Sequence, residues 1–183
     1  MKILDSGDEA YFLEKRFCHL PILNNQIYLN NFKPYKYHNF VRQKSIGCVV
    51  GLVVVSILTG KSTEEIIAFF RQYLSAKQLS DDAADWRDDL KNGIQTGPNS
   101  MLLLTLKNTD KIFVDLDTDL PQLEKIFWED IAPKICRQIL NKTTEARKIL
   151  ASMDSLENTD LFEKLLEPIE HGAKRVLCSH KIH

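Results

Sequence analysis

Glycine, proline and cysteine are all scarce in this sequence of 183 residues, which holds 7, 6 and 4 of them. No two cysteines form a C-x-x-C pair, and Cys18, Cys48, Cys136 and Cys178 are far apart along the chain. This spacing argues against a disulfide scaffold or a zinc site and favours a reducing compartment. Because the N-terminus also lacks a long apolar core, we expect no signal peptide and a cytoplasmic protein.

An excess of charge of one sign is absent as well. The 24 lysines and arginines nearly balance the 25 aspartates and glutamates, so the formal net charge is -1. Such a chain has no overall field that would attract a polyanion, and basic residues gather only in the C-terminal tail. We therefore expect no nucleic-acid partner.

A hydrophobic run long enough to cross a membrane is also missing. The main apolar run covers residues 45–58 and carries no charge, whereas a membrane-spanning helix needs about 20 apolar residues. Gly47 and Gly51 are spaced for close helix packing, which occurs both in membranes and in soluble bundles. We predict a buried helix in a soluble bundle and no membrane association.

Apolar residues recur mostly at helical spacing, without an internal repeat or a low-complexity tract. The sequence therefore predicts one all-α domain over residues 1–183, folded as a helical bundle. The predicted helices cover residues 8–20, 37–58, 63–92, a stretch that begins near 119 and is kinked or divided at Pro133, and 158–178.

The remaining segments are predicted to be loops. Residues 21–34 are rich in Asn, Tyr and Pro, and residues 94–100 lead into an apolar run at 101–106. A short strand over residues 112–116 is an alternative. In the last helix, helical spacing predicts this buried stripe: Leu161, Leu165, Ile169, Ala173 and Val176.

The segment from Gln78 to Asp89 reads QLSDDAADWRDD and is the most unusual feature of the chain. At about 100° per residue, one amide and five carboxylates fall on one side of a helix; we call this set the acidic face: Gln78, Asp81, Asp82, Asp85, Asp88 and Asp89. Like charges at these spacings destabilise a helix, and Asp is a poor residue in a helix interior. The acidic face therefore needs a partner, and Mg²⁺, which takes carboxylate and phosphate oxygens, is a natural one.

An apolar stripe precedes the acidic face on the same side of the predicted helix. It consists of Ile67, Phe70 and Leu74. A cavity that is apolar at depth and acidic at its mouth would account for both parts, and it would suit a ligand with an apolar tail and a diphosphate head. The alternative is a solvated face whose charge is partly neutralised by nearby cations, namely Arg71, Lys77, Arg87 and Lys91.

Lys44-Ser45 on one predicted helix, a turn at Gly60, and Q-x-x-D-D-x-x-D on the next helix occur in a characteristic order. In this order the chain resembles the C-terminal half of class I isoprenoid synthases, which include trans-prenyltransferases and terpene and squalene/phytoene synthases. The resemblance covers about residues 37–106.

The resemblance implies a role for each residue of the motif. Asp81, Asp82 and Asp85 would hold Mg²⁺, Gln78 would lie beside the reacting carbon, and Lys44 would contact the diphosphate of an isoprenyl diphosphate substrate. Asp89 and Lys91 would extend the diphosphate site.

These enzymes carry two aspartate-rich motifs on opposed helices, and only the second is present here. The resemblance therefore implies a partner chain that supplies the first motif. Two other hypotheses remain open from the residues. One is a non-catalytic helical subunit that keeps the diphosphate face, and the other is a protein-interaction module with a solvated acidic face.

Overall fold

A computed structural model describes residues 18–33, 51, 53, 54, 57, 63–153 and 158–179. The chain is mostly helical and also contains a small three-stranded sheet, so the all-α prediction is correct only in its broad outline. The strands are β1 (Ile22–Leu23), β2 (Gln26–Tyr28) and β3 (Phe113–Asp115). The helices are α1 (Glu64–Ala84), α2 (Trp86–Lys91), α3 (Gly97–Lys107), α4 (Leu120–Ile126), α5 (Ala132–Ala151) and α6 (Asp160–Ser179).

Helices α1, α5 and α6 pack as a three-helix bundle. Near the start of α1, Phe69 shares a buried cluster with Leu150 at the end of α5 and Leu166 in the first half of α6. At the other end, Leu79 of α1 joins Ile139 of α5 in a second, larger cluster. Helix α5 therefore runs antiparallel to α1, and α6 returns alongside it.

The sheet is antiparallel, with strand order β1-β2-β3. In β2, Ile27 is buried and its partner in β3, Val114, is buried too, while their neighbours Tyr28 and Phe113 face outward. This alternation is the period of two that places one face of a sheet on the core. The sheet thus covers one end of the larger cluster.

The prediction of irregular structure over residues 21–34 was wrong for β1 and β2, and the strand alternative at 112–116 was correct. Asn24 and Asn25 connect β1 to β2 with φ of 50° and 61°. Consecutive positive φ values are typical of the tight turns that match strand twist, and Asn tolerates them better than most residues. Long-range pairing with β3 then completes the sheet.

The predicted helix over residues 63–92 is in fact two helices. Asp85 separates α1 from α2 with φ −95° and ψ 6°. Beyond the break, Trp86 and Leu90 are buried, and the Trp86 ring stacks on Phe127 with 4.4 Å between centroids. The predicted stop is confirmed, because Gly93 follows α2 with φ +69°, a conformation that favours glycine.

The predicted loop at residues 94–100 is also partly wrong, because α3 already begins at Gly97. Pro98 lies in its first turn, where the missing N–H of proline causes no loss. Thr96 precedes the helix in an extended conformation, and its side chain accepts a hydrogen bond from the backbone N–H of Asn99. A sequence reading that treated Gly-Pro as a loop signal missed this capped start.

Helix α4 begins at Leu120, close to the predicted start, and a π-helical turn over Phe127–Ile131 divides it from α5, in agreement with the kink expected near Pro133. The ends of α6 also agree with the prediction, and Ile169, Ala173 and Val176 of its predicted stripe pack on the larger cluster, but the first two residues of the stripe do not. Leu161 is 75% exposed and Leu165 37% exposed. Leu166 is buried instead, because α6 packs against both α1 and α5.

Of the predicted helix at 37–58, the structure describes only Gly51, Val53, Val54 and Ile57, which are helical. Lys44 and the rest of that segment lie outside the described residues, as do residues 8–17 of the first predicted helix. Cys18 to Leu20, which are described, are not helical; His19 forms an isolated bridge with Ile94. Within the described parts, no helix combines the length and apolar character needed to cross a membrane.

Candidate functional site

The acidic face begins near the C-terminal end of α1, where Gln78 and Asp82 lie one turn apart. The Gln78 side-chain amide donates a hydrogen bond of 2.8 Å to Oδ1 of Asp82. Asp82 is only 5% exposed, and Leu79 on the same helix is buried in the larger cluster. These two predicted site residues are therefore in direct contact at the margin of the core.

Asp81 points in a different direction from Asp82. Its carboxylate accepts a hydrogen bond of 2.6 Å from Nζ of Lys77, and both side chains are about half exposed. This hydrogen bond raises the pKa of Lys77. Exposed pairs of this kind contribute about 0–1 kcal/mol to stability, so the interaction is easily exchanged for another partner. In the structure, Asp81 faces solvent and does not converge with Asp82.

Asp85 occupies the break between the two helices. Its backbone N–H donates to the carbonyl of Asp81 at 3.0 Å, which closes the last turn of α1. Asp88 and Asp89 then lie in the first turn of α2, where the partial positive charge of a helix start favours carboxylates. The predicted acidic face is therefore interrupted by a helix break at Asp85 and does not lie on one regular helix.

Asp85, Asp88 and Asp89 form what we call the carboxylate cluster. Burial, together with the negative charges of Asp85 and Asp88, raises the pKa of Asp89 to about 6. Among the described residues, no lysine or arginine forms an ion pair with any of the three. Within the described part of the chain, no ion pair therefore neutralises the negative charge of the cluster.

Of the cations expected near the acidic face, Lys77 pairs with Asp81, whereas Arg87 and Lys91 are engaged elsewhere or lie in solvent. Arg87 pairs with Glu124 at 2.9 Å, and its guanidinium lies 5.6 Å from the ring centroid of Trp86. Lys91 is exposed in the last turn of α2. Two lysines are predicted to contact the diphosphate. Lys91 is close to the carboxylate cluster in sequence, whereas Lys44 lies outside the described residues.

A preformed metal cage is not found in the part of the chain that the structure describes: no group of three or more His, Cys, Asp or Glu side chains is placed to hold an ion. The chemistry of the carboxylate cluster still fits Mg²⁺, because that ion usually binds through one or two carboxylates and completes its shell with water and substrate phosphates. Asp85 and Asp89 are the residues that best meet this requirement.

The predicted apolar stripe is half-buried. Ile67, Phe70 and Leu74 pack on the smaller cluster together with Val53, which belongs to the predicted helix at 37–58. Val53 therefore packs on the same buried cluster as the apolar stripe. The change from apolar to acidic character along α1 is real.

Sequence reasoning therefore identified the residues but not their grouping. Gln78 and Asp82 form one contact, Asp85 and Asp89 belong to a second group, and Asp81 turns to solvent. Near the break, the sequence signal is Trp86, a large apolar residue that directly follows Asp85. No known protein family, curated protein or solved structure matches this chain.

Proposed function

We propose that this chain binds an isoprenyl diphosphate in a Mg²⁺-dependent manner, as a prenyl or terpene synthase-like chain or subunit of the class I isoprenoid type. The observation that carries the proposal is the carboxylate cluster, three aspartates at a helix junction that no cation of the described chain neutralises. A divalent cation shared with a diphosphate would remove this repulsion.

The direction of α1 supports the same ligand. Its half-buried apolar side chains, Ile67, Phe70 and Leu74, precede Gln78 and the carboxylates along one helix. A ligand that lies along this side would place an apolar tail toward the bundle and a charged head toward the junction. This is the polarity of an isoprenyl diphosphate.

Each residue has a separate task in this proposal. Asp85 and Asp89 bind the metal directly, and Asp81 joins them by exchanging its contact with Lys77. The hydrogen bond between Gln78 and Asp82 holds the side chain of Gln78 at the site. Held by these carboxylates, Mg²⁺ would supply charge neutralisation for the leaving diphosphate, and Lys91 and Lys44 would contact the diphosphate oxygens. Turnover requires the opposed aspartate-rich motif, which we assign to a partner chain.

Calorimetry tests the binding step. We expect MgCl₂ alone to give little heat, because the described residues form no preformed cage, and farnesyl diphosphate to bind only when MgCl₂ is present. The variants Asp85→Asn and Asp89→Asn should each weaken this binding about tenfold or more, since each removes a charged ligand.

Asp110→Asn provides the matched control. Asp110 is an exposed aspartate with φ +58°, a conformation that Asn tolerates. It should leave binding unchanged. Metal-independent binding of farnesyl diphosphate, or equal weakening by all three substitutions, would contradict the proposal.

A non-catalytic helical subunit or interaction module is the second candidate, and two observations favour it. Asp81 is already paired with Lys77 in solvent, and Val54 and Ile57 are 48% and 64% exposed on a helical segment. Exposed apolar side chains of this size are typical of surfaces that bind another protein. The pair Val54→Ser and Ile57→Ser would then abolish an association detected by light scattering, without any effect of Mg²⁺.

The cytoplasm is the compartment that we propose for this function. Among the described residues, no disulfide joins Cys18, Cys136 or Cys178. Unpaired cysteines are typical of reducing compartments.

A further inference from the structure

A second cavity lies on the opposite side of α1 from the acidic face, between α1, the π-helical turn, α5 and α6. Its volume is about 510 Å³, within the range of about 300–1,000 Å³ that small-molecule sites occupy. Ala83 and Ala84 of α1 and Gly172 and Ala173 of α6 line it. These small side chains keep the helices close while leaving space between them.

The lining changes character from the interior to the surface. Ile139 of α5 and Phe127 of the π-helical turn are buried, whereas Trp128 is 46% exposed at the rim. Single π-helical turns within α-helices occur frequently at functional sites. Here the turn places two consecutive aromatic side chains on the cavity, with their rings 5.3 Å apart and nearly perpendicular.

Polar groups are confined to the rim. Arg175 and Ser179 lie one turn apart on α6, and both are exposed. Within the described residues, the Arg175 guanidinium forms no ion pair. The other cation of this turn, Lys174, is instead bound to Glu170. The cavity therefore combines an apolar interior with one available guanidinium.

We infer that this cavity binds a single-chain amphiphile with a small anionic head, either a carboxylate or a phosphate, whose alkyl chain lies between α1, α5 and α6. Arg175 binds the head with charge-assisted hydrogen bonds, and Trp128 covers the chain at the rim. The site is separate from the proposed diphosphate site, because Ser80, Ala83 and Ala84 face it while the acidic residues of α1 face away. It requires no metal.

Tryptophan fluorescence tests this inference. Four probes are titrated below their critical micelle concentrations: dodecanoate, dodecyl phosphate, dodecanol and dodecyltrimethylammonium. We expect a saturable change with both anionic probes, weaker binding of dodecanol, and none of the cationic probe. Arg175→Gln should weaken dodecanoate binding about tenfold and leave dodecanol binding unchanged. The control Arg137→Gln, at an exposed arginine of α5 outside the cavity, should change neither.

A cavity-filling variant tests the location. A Cβ added at Gly172 would meet no atom within 4 Å, and leucine favours a helix more than glycine does. Gly172→Leu should therefore fold, as checked by thermal unfolding, and lose dodecanoate binding more than tenfold. Ala151→Leu, at an exposed position on α5, is the matched control that should keep it.

Three outcomes would overturn the inference: no saturable binding of either anionic probe, equal binding of the cationic probe, or unchanged binding by folded Gly172→Leu. The result is independent of the proposed function. Asp85→Asn and Asp89→Asn should leave dodecanoate binding intact, and Gly172→Leu should leave Mg²⁺-dependent binding of farnesyl diphosphate intact.

Discussion

Asp89 shows how a single side chain of the carboxylate cluster responds to its neighbours. In the folded chain, burial and then the charges of Asp85 and Asp88 raise its pKa from 3.8 to about 6. An acid whose pKa is raised on folding binds its proton more tightly in the folded state. The ionised form therefore opposes folding, and stability is gained as pH falls from about 7 toward 4.

Asp89→Asn should remove this dependence. We expect the variant to be about 1 kcal/mol more stable than the native chain at pH 7.5, after allowance for solvent screening, and to lose that advantage near pH 4.5. Urea unfolding at the two pH values measures the difference. A stability difference that does not change with pH would show that ionised Asp89 does not oppose folding. Asp110→Asn serves again as the control.

The same residue links pH to the proposed binding. Metal ligands must be deprotonated, so Mg²⁺-dependent binding of farnesyl diphosphate should weaken as pH falls through about 6. Calorimetry at pH 7.5 and 5.5 should show a loss of several-fold in the native chain. The Asp89→Asn variant, which already binds farnesyl diphosphate more weakly, should lose less affinity between the two pH values. An equal loss would show that a group other than Asp89 titrates.

At the scale of the elements, short signals near helix ends were the most reliable predictors. Gly93, Pro121 and Pro133 all mark the boundaries that the structure has. Such signals are reliable because they act through the local backbone, by a positive φ or a missing N–H. The break at Asp85 is marked by no glycine or proline; just beyond it, Trp86 is buried against Phe127, which is distant in the chain.

The start of α3 depends on Thr96, whose side chain caps Asn99 at 3.4 Å. Thr96→Ala should reduce the free energy of unfolding by about 1 kcal/mol, since it leaves an N-terminal N–H of the helix without its partner. Thr96→Ser keeps the hydroxyl and should recover most of the loss. Urea unfolding compares the three proteins, and an equal loss in both variants would assign the effect to the buried methyl group.

Helices α5 and α6 are joined by Arg147, which donates to Glu170 at 3.0 Å and also pairs with Glu163. Arg147→Ala should reduce the free energy of unfolding by about 2 kcal/mol, because hydrogen bonds to charged groups are stronger than those between neutral groups. The difference should shrink in 1 M NaCl, where exposed charges are screened. Lys148→Ala, which removes only an exposed contact to Glu145, should change stability little; a matching loss would contradict the assignment.

In the molecule as a whole, the smaller cluster holds the N-terminal half of α1 to α5 and α6. Phe69 is fully buried there, with edge-to-face contacts to Phe70 and Phe162 at 5.2 and 5.1 Å. Phe69→Ala should reduce the free energy of unfolding by about 3–5 kcal/mol. Phe69→Leu should reduce it less, because leucine leaves a smaller cavity. Denaturant unfolding measures both; similar costs for the two would indicate that aromatic contacts rather than volume decide stability.

The mostly helical character and the residues of the candidate site were readable from the sequence, whereas their arrangement was not. Helical spacing correctly indicated α1, α5 and α6, but it assigned Leu161 and Leu165 to the core in place of Leu166. A helix that contacts two neighbours buries a face set by both of them, and one sequence contains no record of that angle. The sheet was missed for a related reason, since β3 is distant from β2 in the chain.

The sequence by itself determined the composition of the acidic face, its place after an apolar stripe, and the helix ends that surround it, because these depend on local backbone and side-chain preferences. Only the tertiary structure decided how the aspartates divide. Just beyond the break at Asp85 the Trp86 ring stacks on Phe127, while Asp82 is buried beside Gln78 and Asp81 pairs with Lys77 in solvent. Burial against distant elements of the chain decides which of these side chains face the core, because the free energy of burying a large aromatic side chain exceeds the small local preferences of single aspartates.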